Sequence, residues 1–180
     1  MRLHLVDSSL PVAAALYGAF RPFEEVEVLH GDLLSVARGA VVAPTNGEGF
    51  AGAGFDRACM DYFGWQVGET VRRFLARRPE ARLAIGETVV VRTGHDRIPY
   101  LIAASTLLFP SFTYAAPITR AMRAVLNVVS GEPEIGEDVY CPGLGTGAAC
   151  VPPRAAAEQM ARAYEEWRDA AARLNQLESA

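Results

Sequence analysis

The sequence predicts an α/β fold with a mixed central sheet and helices on both faces, which is a three-layer α/β/α arrangement. Short runs typical of strands alternate along the chain with longer runs that have helical spacing. Two strand-like runs follow each other with only a turn between them, so one antiparallel pair is expected in a mostly parallel sheet. No repeat or linker interrupts this order, and 180 residues suit a single domain, residues 1–180.

The strands are predicted from alternation and from β-branched residues. Apolar and polar residues alternate in RLHLV at 2–6 and in EVEVL at 25–29, as in half-buried strands. The run AVVA at 40–43, bounded by Gly39 and Pro44, predicts a short buried strand. The remaining strands are expected in GETVVVRTG and IPYLIAAST, joined by a hairpin-like turn, and in EDVYC.

Helices are predicted between these strands. PVAAALYGAF begins with Pro11, which suits a first helical turn, and Asp7, Ser8 and Ser9 offer capping oxygens just upstream. FDRACMDYFGWQVGETVRRFLARRP predicts one or two helices with a break between Gly64 and Gly68. Two apolar stripes predict further helices: Ile118, Met122, Val125 and Val129 within 114–130, and Met160, Tyr164, Trp167, Ala171 and Leu174 from Pro153 to the end.

Composition excludes several classes of function. The chain is 51% hydrophobic and 21% charged with a net charge of -4, so it lacks the basic excess of a nucleic-acid-binding protein. Direct nucleic-acid binding is therefore not expected. No apolar run is long enough to span a bilayer, and MRLHLVDSS does not resemble a signal peptide, so no membrane association and a cytoplasmic location are expected.

Neither metal nor thiol chemistry is indicated. Cys59, Cys141 and Cys150 are an odd number without CxxC spacing, which favours structural reduced thiols over disulfides or a zinc cluster. The three histidines are scattered and form no HExxH pattern. We expect no metal and no cofactor.

Two glycine-rich segments follow predicted strands and precede predicted helices. We call PTNGEGFAGAG at 44–54 the first glycine loop and PGLGTGAACVPP at 142–153 the second glycine loop. Glycine lets backbone N–H groups approach an anion closely, and helix N-termini favour negative charge. Two such loops at the carboxyl edge of one sheet suit a diphosphate.

The first glycine loop also contains GxGxxG by letter, at Gly47, Gly49 and Gly52. A dinucleotide fingerprint needs its first glycine directly after the strand and an acidic residue about 20 positions later at the end of the next strand. Here three residues intervene, and the acidic candidate Glu69 lies in a helical stretch. We therefore interpret the match as coincidental. A GxxxxGK[ST] loop is also excluded, because the chain contains no lysine.

HGDLL at 30–34, VVAPTNGEGFAGAGFD at 41–56 and YCPGLGTGAACVPPRAAAEQM at 140–160 resemble, in this order, the signature segments of the macro domain family. The variant with Pro-x-Asn and Gly-Leu-Gly-Thr-Gly is most similar to a bacterial and phage branch. The resemblance covers nearly the whole chain. It implies a macro domain that binds ADP-ribose, or an ADP-ribosylated substrate, as its small-molecule ligand.

The resemblance also assigns ligand-binding roles. Asp32 matches the aspartate that accepts a hydrogen bond from the adenine amino group, with Leu33 beside it, and Asn46 matches the asparagine near the distal ribose. From the residues alone, Asp32 is equally suited to cap a turn and Asn46 to form an Asx-turn. The residues matching the two phosphate loops are Gly52, Ala53, Gly54 and Phe55 in the first, and Gly145, Thr146, Gly147, Ala148 and Ala149 in the second.

Asp56 is the candidate catalytic residue. It matches the aspartate that hydrolytic relatives use near the reacting ribose, whereas its position at a helix start also suits a carboxylate without any catalytic role. Four residues later, Met60 stands where many hydrolytic relatives carry histidine. Ala149 stands where an aromatic residue usually packs on the distal ribose, and Ala53 and Phe55 replace smaller residues. These departures affect catalysis more than binding.

Three hypotheses follow from these observations. The first is a binding module for ADP-ribose or a related derivative. The second is an ADP-ribosyl hydrolase that uses Asp56, acting on ADP-ribosylated protein, O-acyl-ADP-ribose or ADP-ribose phosphate. The third is a degenerate macro domain that serves in assembly, with the Trp167-bearing helix as a partner surface. The sequence identifies no protein partner.

Overall fold

The computed structural model describes residues 1–49, 54–78, 80–107 and 116–178 of the chain. The strands are β1 (Arg2–Asp7), β2 (Glu27–His30), β3 (Ala40–Asn46), β4 (Thr88–Arg92), β5 (Tyr100–Leu107) and β6 (Asp138–Cys141). The helices are α1 (Leu10–Phe20), α2 (Leu33–Val36), α3 (Gly54–Phe63), α4 (Gln66–Leu75), α5 (Ala116–Gly131) and α6 (Pro153–Glu178). The predicted break between α3 and α4 is at Gly64, whose φ of +94° favours glycine.

The strands form one mixed sheet in the order β2-β1-β6-β3-β5-β4. All neighbouring strands are parallel except β4 and β5, which pair antiparallel across the predicted hairpin. β6 comes from late in the chain and inserts between β1 and β3. The carboxyl ends of β1, β2, β3, β5 and β6 therefore lie at one edge of the sheet, which is where open α/β sheets bind their ligands.

Helices cover both faces of the sheet, and this confirms the predicted α/β class. On β3, Val42 packs with α1, α5 and α6 on one face, whereas Val41 and Ala43 pack with α2, α3 and α4 on the other. The alternation follows from the period of two along a strand. The predicted α5 stripe is buried throughout, from Ile118 to Val129.

β3 is longer than predicted. Pro44 was expected to end the strand, but the strand continues through it to Asn46, and Pro44 pairs with Ala104 of β5. The ladder between β3 and β6 covers only Ala40 and Val41. One side of β3 is thus without a ladder at Pro44, and the missing N–H of proline costs no hydrogen bond there. The extra length brings Asn46 to the carboxyl edge of the sheet.

The apolar stripe of α6 contributes to the core only in the first part of the helix. Met160 and Tyr164 are buried, and Trp167 packs against the core while partly exposed. The prediction was wrong for Leu174, which is 60% exposed. Leu177 is exposed as well, so among the described residues the last turns of α6 have no apolar surface to pack on. Among the described residues, no helix is both long enough and apolar enough to cross a membrane.

Candidate functional site

A crevice of about 690 Å³ lies at the carboxyl edge of the sheet. This volume is within the usual range for small-molecule sites. The structure brings together eleven of the residues that the sequence nominated: Asp32, Leu33, Asn46, Gly54, Phe55, Asp56, Gly145, Thr146, Gly147, Ala148 and Ala149. The other two nominated residues, Gly52 and Ala53, lie outside the described residues.

The second glycine loop lines the crevice with five consecutive residues, 145–149. The amides at its two ends are engaged, because Gly143 donates to Asp7 Oδ2 at 3.0 Å and Val151 donates to the Gly145 carbonyl at 3.0 Å. Within the described ranges, the amides of residues 145–149 have no hydrogen-bond acceptor. Consecutive amides of this kind form a concave anion site.

Two positions fix the shape of this loop. Gly145 has a φ of +77°, and an added Cβ would lie 2.8 Å from Ile118 Cδ1. The positive φ favours glycine, and any larger residue would also have to displace the Ile118 side chain. The Thr146 hydroxyl donates to the Gly143 carbonyl at 2.9 Å, so its proton holds the loop together and its lone pairs remain available. Gly147 and Ala148 are exposed, whereas Ala149 is buried against the core.

Asp32 is the N-cap of α2 at the end of β2. Its Oδ1 accepts a hydrogen bond from the Leu34 amide at 3.1 Å, and its Oδ2 accepts one from the Ser35 hydroxyl. The sequence suggested either ligand binding or helix capping for Asp32, and the structure shows the capping. A carboxylate has about four lone-pair sites, so two capping bonds leave capacity for a donor in the crevice.

Asn46 ends β3 and is 6% exposed. Its Oδ1 accepts a hydrogen bond from the Glu48 amide at 2.8 Å, which is the Asx-turn that its sequence context offered. The Gly49 amide donates to the Asn46 carbonyl at 3.1 Å and closes the same turn. The side chain therefore holds the chain as it leaves the strand, and it also lines the crevice.

Asp56 lies in the first turn of α3 and is 7% exposed. Its Oδ2 accepts a hydrogen bond from Thr45 Oγ1 at 3.3 Å. Behind Thr45, the Thr106 hydroxyl donates to the Thr45 carbonyl at 3.3 Å. All three residues line the same end of the crevice. A carboxylate at a helix N-terminus is favourable in itself, so this geometry agrees with both readings of Asp56.

Backbone dipoles dominate the electrostatics of the crevice. Three carboxylates line it, at Asp7, Asp32 and Asp56, whereas no described lining residue is an arginine, lysine or histidine. An anion placed there would be held by the free amides of the second glycine loop and by the N-terminus of α3. Among the described residues, no group of three or more histidine, cysteine or acidic side chains is arranged to hold a metal ion.

Gly47 and Gly49, the two described glycines of the GxGxxG match, have a structural role. Gly49 has a φ of +85° and lies so close to α4 that an added Cβ would be 3.0 Å from Leu75 Cδ1. The Gly47 carbonyl accepts a hydrogen bond from the Leu83 amide at 2.8 Å. Neither residue lines the crevice. Both serve the turn after β3.

Two of the three cysteines are structural, as expected. Burial, followed by the nearby Asp56, raises the pKa of the Cys59 thiol, and burial, followed by Asp7, raises the pKa of the Cys141 thiol. Both thiols therefore remain neutral. Cys150 differs, because it is exposed and has a φ of +52° at the end of the second glycine loop.

The sequence analysis named Asp7 only as a capping candidate for α1, and it missed the contribution of β1 to the crevice. Asp7 accepts hydrogen bonds from the Ser9 amide at 2.9 Å and from the Gly143 amide, so it joins the start of α1 to the second glycine loop. The Ser9 side chain makes no capping hydrogen bond. The available signal was the position of Asp7 at the end of a strand that leads into a helix. The lining residues that were missed are Val6, Asp7, Ser8, Ser9, Val12, Pro44, Thr45, Ala58, Thr106, Pro142 and Gly143.

Residues 30–168 match the Macro-like domain family. The chain belongs to this family. An uncharacterized protein of Pyrobaculum aerophilum is 29% identical over 143 residues, which cover 79% of this chain and 75% of that protein.

Solved structures of macrodomains share the fold. The macrodomain of Mycobacterium tuberculosis DarG is 22% identical with a TM-score of 0.65, over 77% of this chain and 88% of that chain. A point mutant of the Oceanobacillus iheyensis macrodomain with ADPR is 16% identical with a TM-score of 0.64, over 74% of this chain and 73% of that chain. At these identities the likeness concerns the fold alone.

The structure shows the surroundings of three residues at which the sequence of this macro-like domain departs from the expected family pattern. Met60 is partly buried and packs against the core beneath α3, so its thioether supplies neither acid nor base to the crevice. Ala149 lines the crevice, is 3% exposed and packs in the core, so its methyl group offers no aromatic face to a ligand. Phe55 lines the crevice and also packs against the core.

Proposed function

We propose that this macro-like domain binds ADP-ribose, or an ADP-ribosyl derivative, in the crevice at the carboxyl edge of its sheet. One observation carries the proposal: residues 145–149 line the crevice, and their amides have no acceptor among the described residues. Such a run of N–H groups matches the oxygens of a diphosphate, and it does so without any lysine.

The sheet order gives the ligand a direction. Asp32 follows β2, the second glycine loop follows β6, and Asn46 ends β3, with β1 between β2 and β6. At about 4.8 Å per strand, the distance from the end of β2 to the end of β3 is roughly 14 Å. We place the adenine beside Asp32, the diphosphate on the second glycine loop, and the distal ribose beside Asn46 and Asp56.

Two kinds of comparison support this choice of ligand. The family match covers residues 30–168, which contain every lining residue named for the three parts of the ligand. The similar Oceanobacillus iheyensis macrodomain mutant has been solved with ADPR.

The first test is calorimetric titration with ADP-ribose. We expect the wild-type protein to bind, and the Asp32→Ala variant to bind about tenfold to a hundredfold more weakly, because it loses a charge-assisted hydrogen bond to the adenine amino group. The affinity of the Asp32→Ala variant for AMP should fall by a similar factor, since AMP carries the same base. Ribose 5-phosphate has no base, so its affinity should not change.

Glu134→Ala is the matched control for this experiment. It also removes a carboxylate, but Glu134 is exposed, pairs with Arg92 and does not line the crevice. The control should bind ADP-ribose like the wild type. Absence of binding by the wild type, or equal binding by the Asp32→Ala variant, would contradict the proposal.

Hydrolysis of an ADP-ribosyl bond is a second candidate, and the placement of Asp56 favours it. The carboxylate lines the end of the crevice assigned to the distal ribose, and Thr45 holds it from behind. A carboxylate in this position could orient or activate a water molecule. The readout is release of free ADP-ribose from an ADP-ribosylated protein or from O-acyl-ADP-ribose.

A further inference from the structure

Arg97 connects three separate segments of the fold on the side of the sheet that carries α2 and α3. It lies in the turn between β4 and β5 and is half-buried. Its guanidinium donates to the Ser35 carbonyl and the Leu34 carbonyl, both at 2.8 Å, and to the Tyr62 hydroxyl at 2.5 Å. Its own carbonyl accepts a hydrogen bond from the Gly39 amide at 2.9 Å.

The two carbonyls belong to the single turn of α2, whose other end is Asp32. The Asp32 carbonyl accepts from Ser35 and Val36, and the Leu33 carbonyl accepts from the Ala37 amide. The carbonyls of Leu34 and Ser35 receive their hydrogen bonds from Arg97. A guanidinium at the C-terminal end of a helix also interacts favourably with the helix dipole.

A helix of four residues has little stability of its own. The cap at Asp32 holds the first end of this turn and Arg97 holds the last, although Leu34 and Arg97 are 63 positions apart in the sequence. The planar guanidinium suits this task, because two of its N–H groups can reach neighbouring carbonyls at once. The direction of the Asp32 carboxylate therefore depends on Arg97.

We propose that Arg97 is a positioning residue for base recognition, which sets the orientation of Asp32 toward the adenine of the ligand. The proposal rests on the proposed function, since it needs a base beside Asp32. Arg97 itself does not line the crevice, so its influence passes through α2. It makes the selectivity for adenine depend on a residue outside the binding site.

The test compares ADP-ribose with its hypoxanthine counterpart, which has a carbonyl in place of the adenine amino group. The carboxylate of Asp32 accepts a hydrogen bond from the amino group and repels the carbonyl, so the ratio of the two affinities measures its orientation. We expect Arg97→Ala to reduce this ratio about tenfold, mainly by weakening ADP-ribose. The affinity ratio of Arg97→Lys should lie between those of the wild type and Arg97→Ala, because an ammonium cannot bridge both carbonyls in the same plane.

Two control variants separate positioning from general destabilisation. Tyr62→Phe removes the third contact of the guanidinium but keeps both carbonyl contacts, so it should leave the affinity ratio unchanged. Arg92→Ala removes an exposed arginine from β4, where it pairs with Glu134, and it should also leave the ratio unchanged. Thermal unfolding of each variant shows that the protein measured is folded.

The possible results distinguish this inference from the proposed function. If the wild type binds and discriminates, and Arg97→Ala and Arg97→Lys both keep the wild-type ratio, the positioning role is wrong while the binding function stands. If both ligands weaken equally in the Arg97 variants, the residue only stabilises the fold, and the proposal is again overturned. If the wild type binds neither ligand, the proposed function fails and this inference fails with it.

Discussion

Asp56 is placed for two tasks that a single substitution can separate. Its charge suits the N-terminus of α3, and the residue lines the end of the crevice that we assign to the distal ribose. Asp56→Asn keeps the size of the side chain and an acceptor for Thr45 but removes the charge. If the protein hydrolyses an ADP-ribosyl bond, this variant should release ADP-ribose at least about a hundredfold more slowly, with a much smaller change in affinity.

Glu48→Gln is the control for that assay, because Glu48 is a carboxylate in the first glycine loop that does not line the crevice. Undiminished release by Asp56→Asn would remove the catalytic role. Absence of release by the wild type, together with intact ADP-ribose binding, would leave the binding function alone. Met60 supplies neither an acid nor a base, so the structure agrees better with binding without hydrolysis.

At the scale of single residues, the sequence could indicate which residues suit a binding site, but not which distant residues they contact. Asp32 and Asn46 were predicted to bind ligand or to hold a turn, and each does hold a turn while lining the crevice. The contact of Asp7 with the second glycine loop could not be predicted from the local sequence. Its partner Gly143 is 136 residues away, and nothing in RLHLVDSS shows that β6 will lie beside β1.

The pairing of β1 with β6 carries a polar cluster at the other edge of the sheet. The His4 ring lies between Glu27 and Asp138, at 2.7 Å and 2.9 Å, and stacks on Tyr140. Burial alone would raise the pKa of Asp138, but hydrogen bonds from His4 and Arg2 outweigh it, and the net pKa is lowered. The ionised carboxylate thus helps to hold β6 against β1 and β2.

This lowered pKa predicts a pH-dependent contribution to stability. The folded protein holds the Asp138 proton less tightly than the unfolded chain, so the contribution is complete above the ordinary aspartate pKa of about 3.9 and is lost as the pH falls below it. Asp138→Asn should lower the melting temperature by about 3 °C at pH 5, which corresponds to roughly 1 kcal/mol for a partly exposed ion pair. The difference from the wild type should shrink toward pH 3.

Glu134→Gln provides the matched control for the pH series, since Glu134 is an exposed acid whose partner is Arg92. Its melting temperature should follow that of the wild type from pH 5 to pH 3. A difference between wild type and Asp138→Asn that stays constant over this range would show that the carboxylate charge does not link these strands.

Helices and strands could be predicted wherever the spacing of apolar residues agreed with the residues that typically end an element. α5 has an unbroken stripe and is buried along it, and Gly64 separates α3 from α4 as expected. Two errors arose where tertiary context decides. Pro44 is tolerated in β3 because β6 is too short to need its N–H, and Leu174 is exposed because the last turns of α6 have no apolar surface among the described residues to pack on. Neither circumstance is visible in the local sequence.

At the scale of the whole molecule, the crevice is built from both ends of the chain. β1, β2 and β3 come before residue 50, whereas β6 and the second glycine loop come after residue 137. The sheet order places the strand from the second half between strands from the first. Ligand binding should therefore link the two parts, since ADP-ribose with its diphosphate on the second glycine loop would also reach Asp32 after β2 and Asn46 at the end of β3.

The most direct measurement is an amide-resolved NMR titration of the ¹⁵N-labelled protein with ADP-ribose. We expect the largest shifts at residues 145–149, whose N–H groups lack acceptors among the described residues, and further shifts around Ser9, Asp32 and Gly54. Amides at the opposite edge of the sheet, such as Gly39 and Glu137, should change little. Shifts concentrated at that opposite edge, or no shifts at millimolar ligand, would contradict binding in the crevice and would favour an assembly role for this macro-like domain.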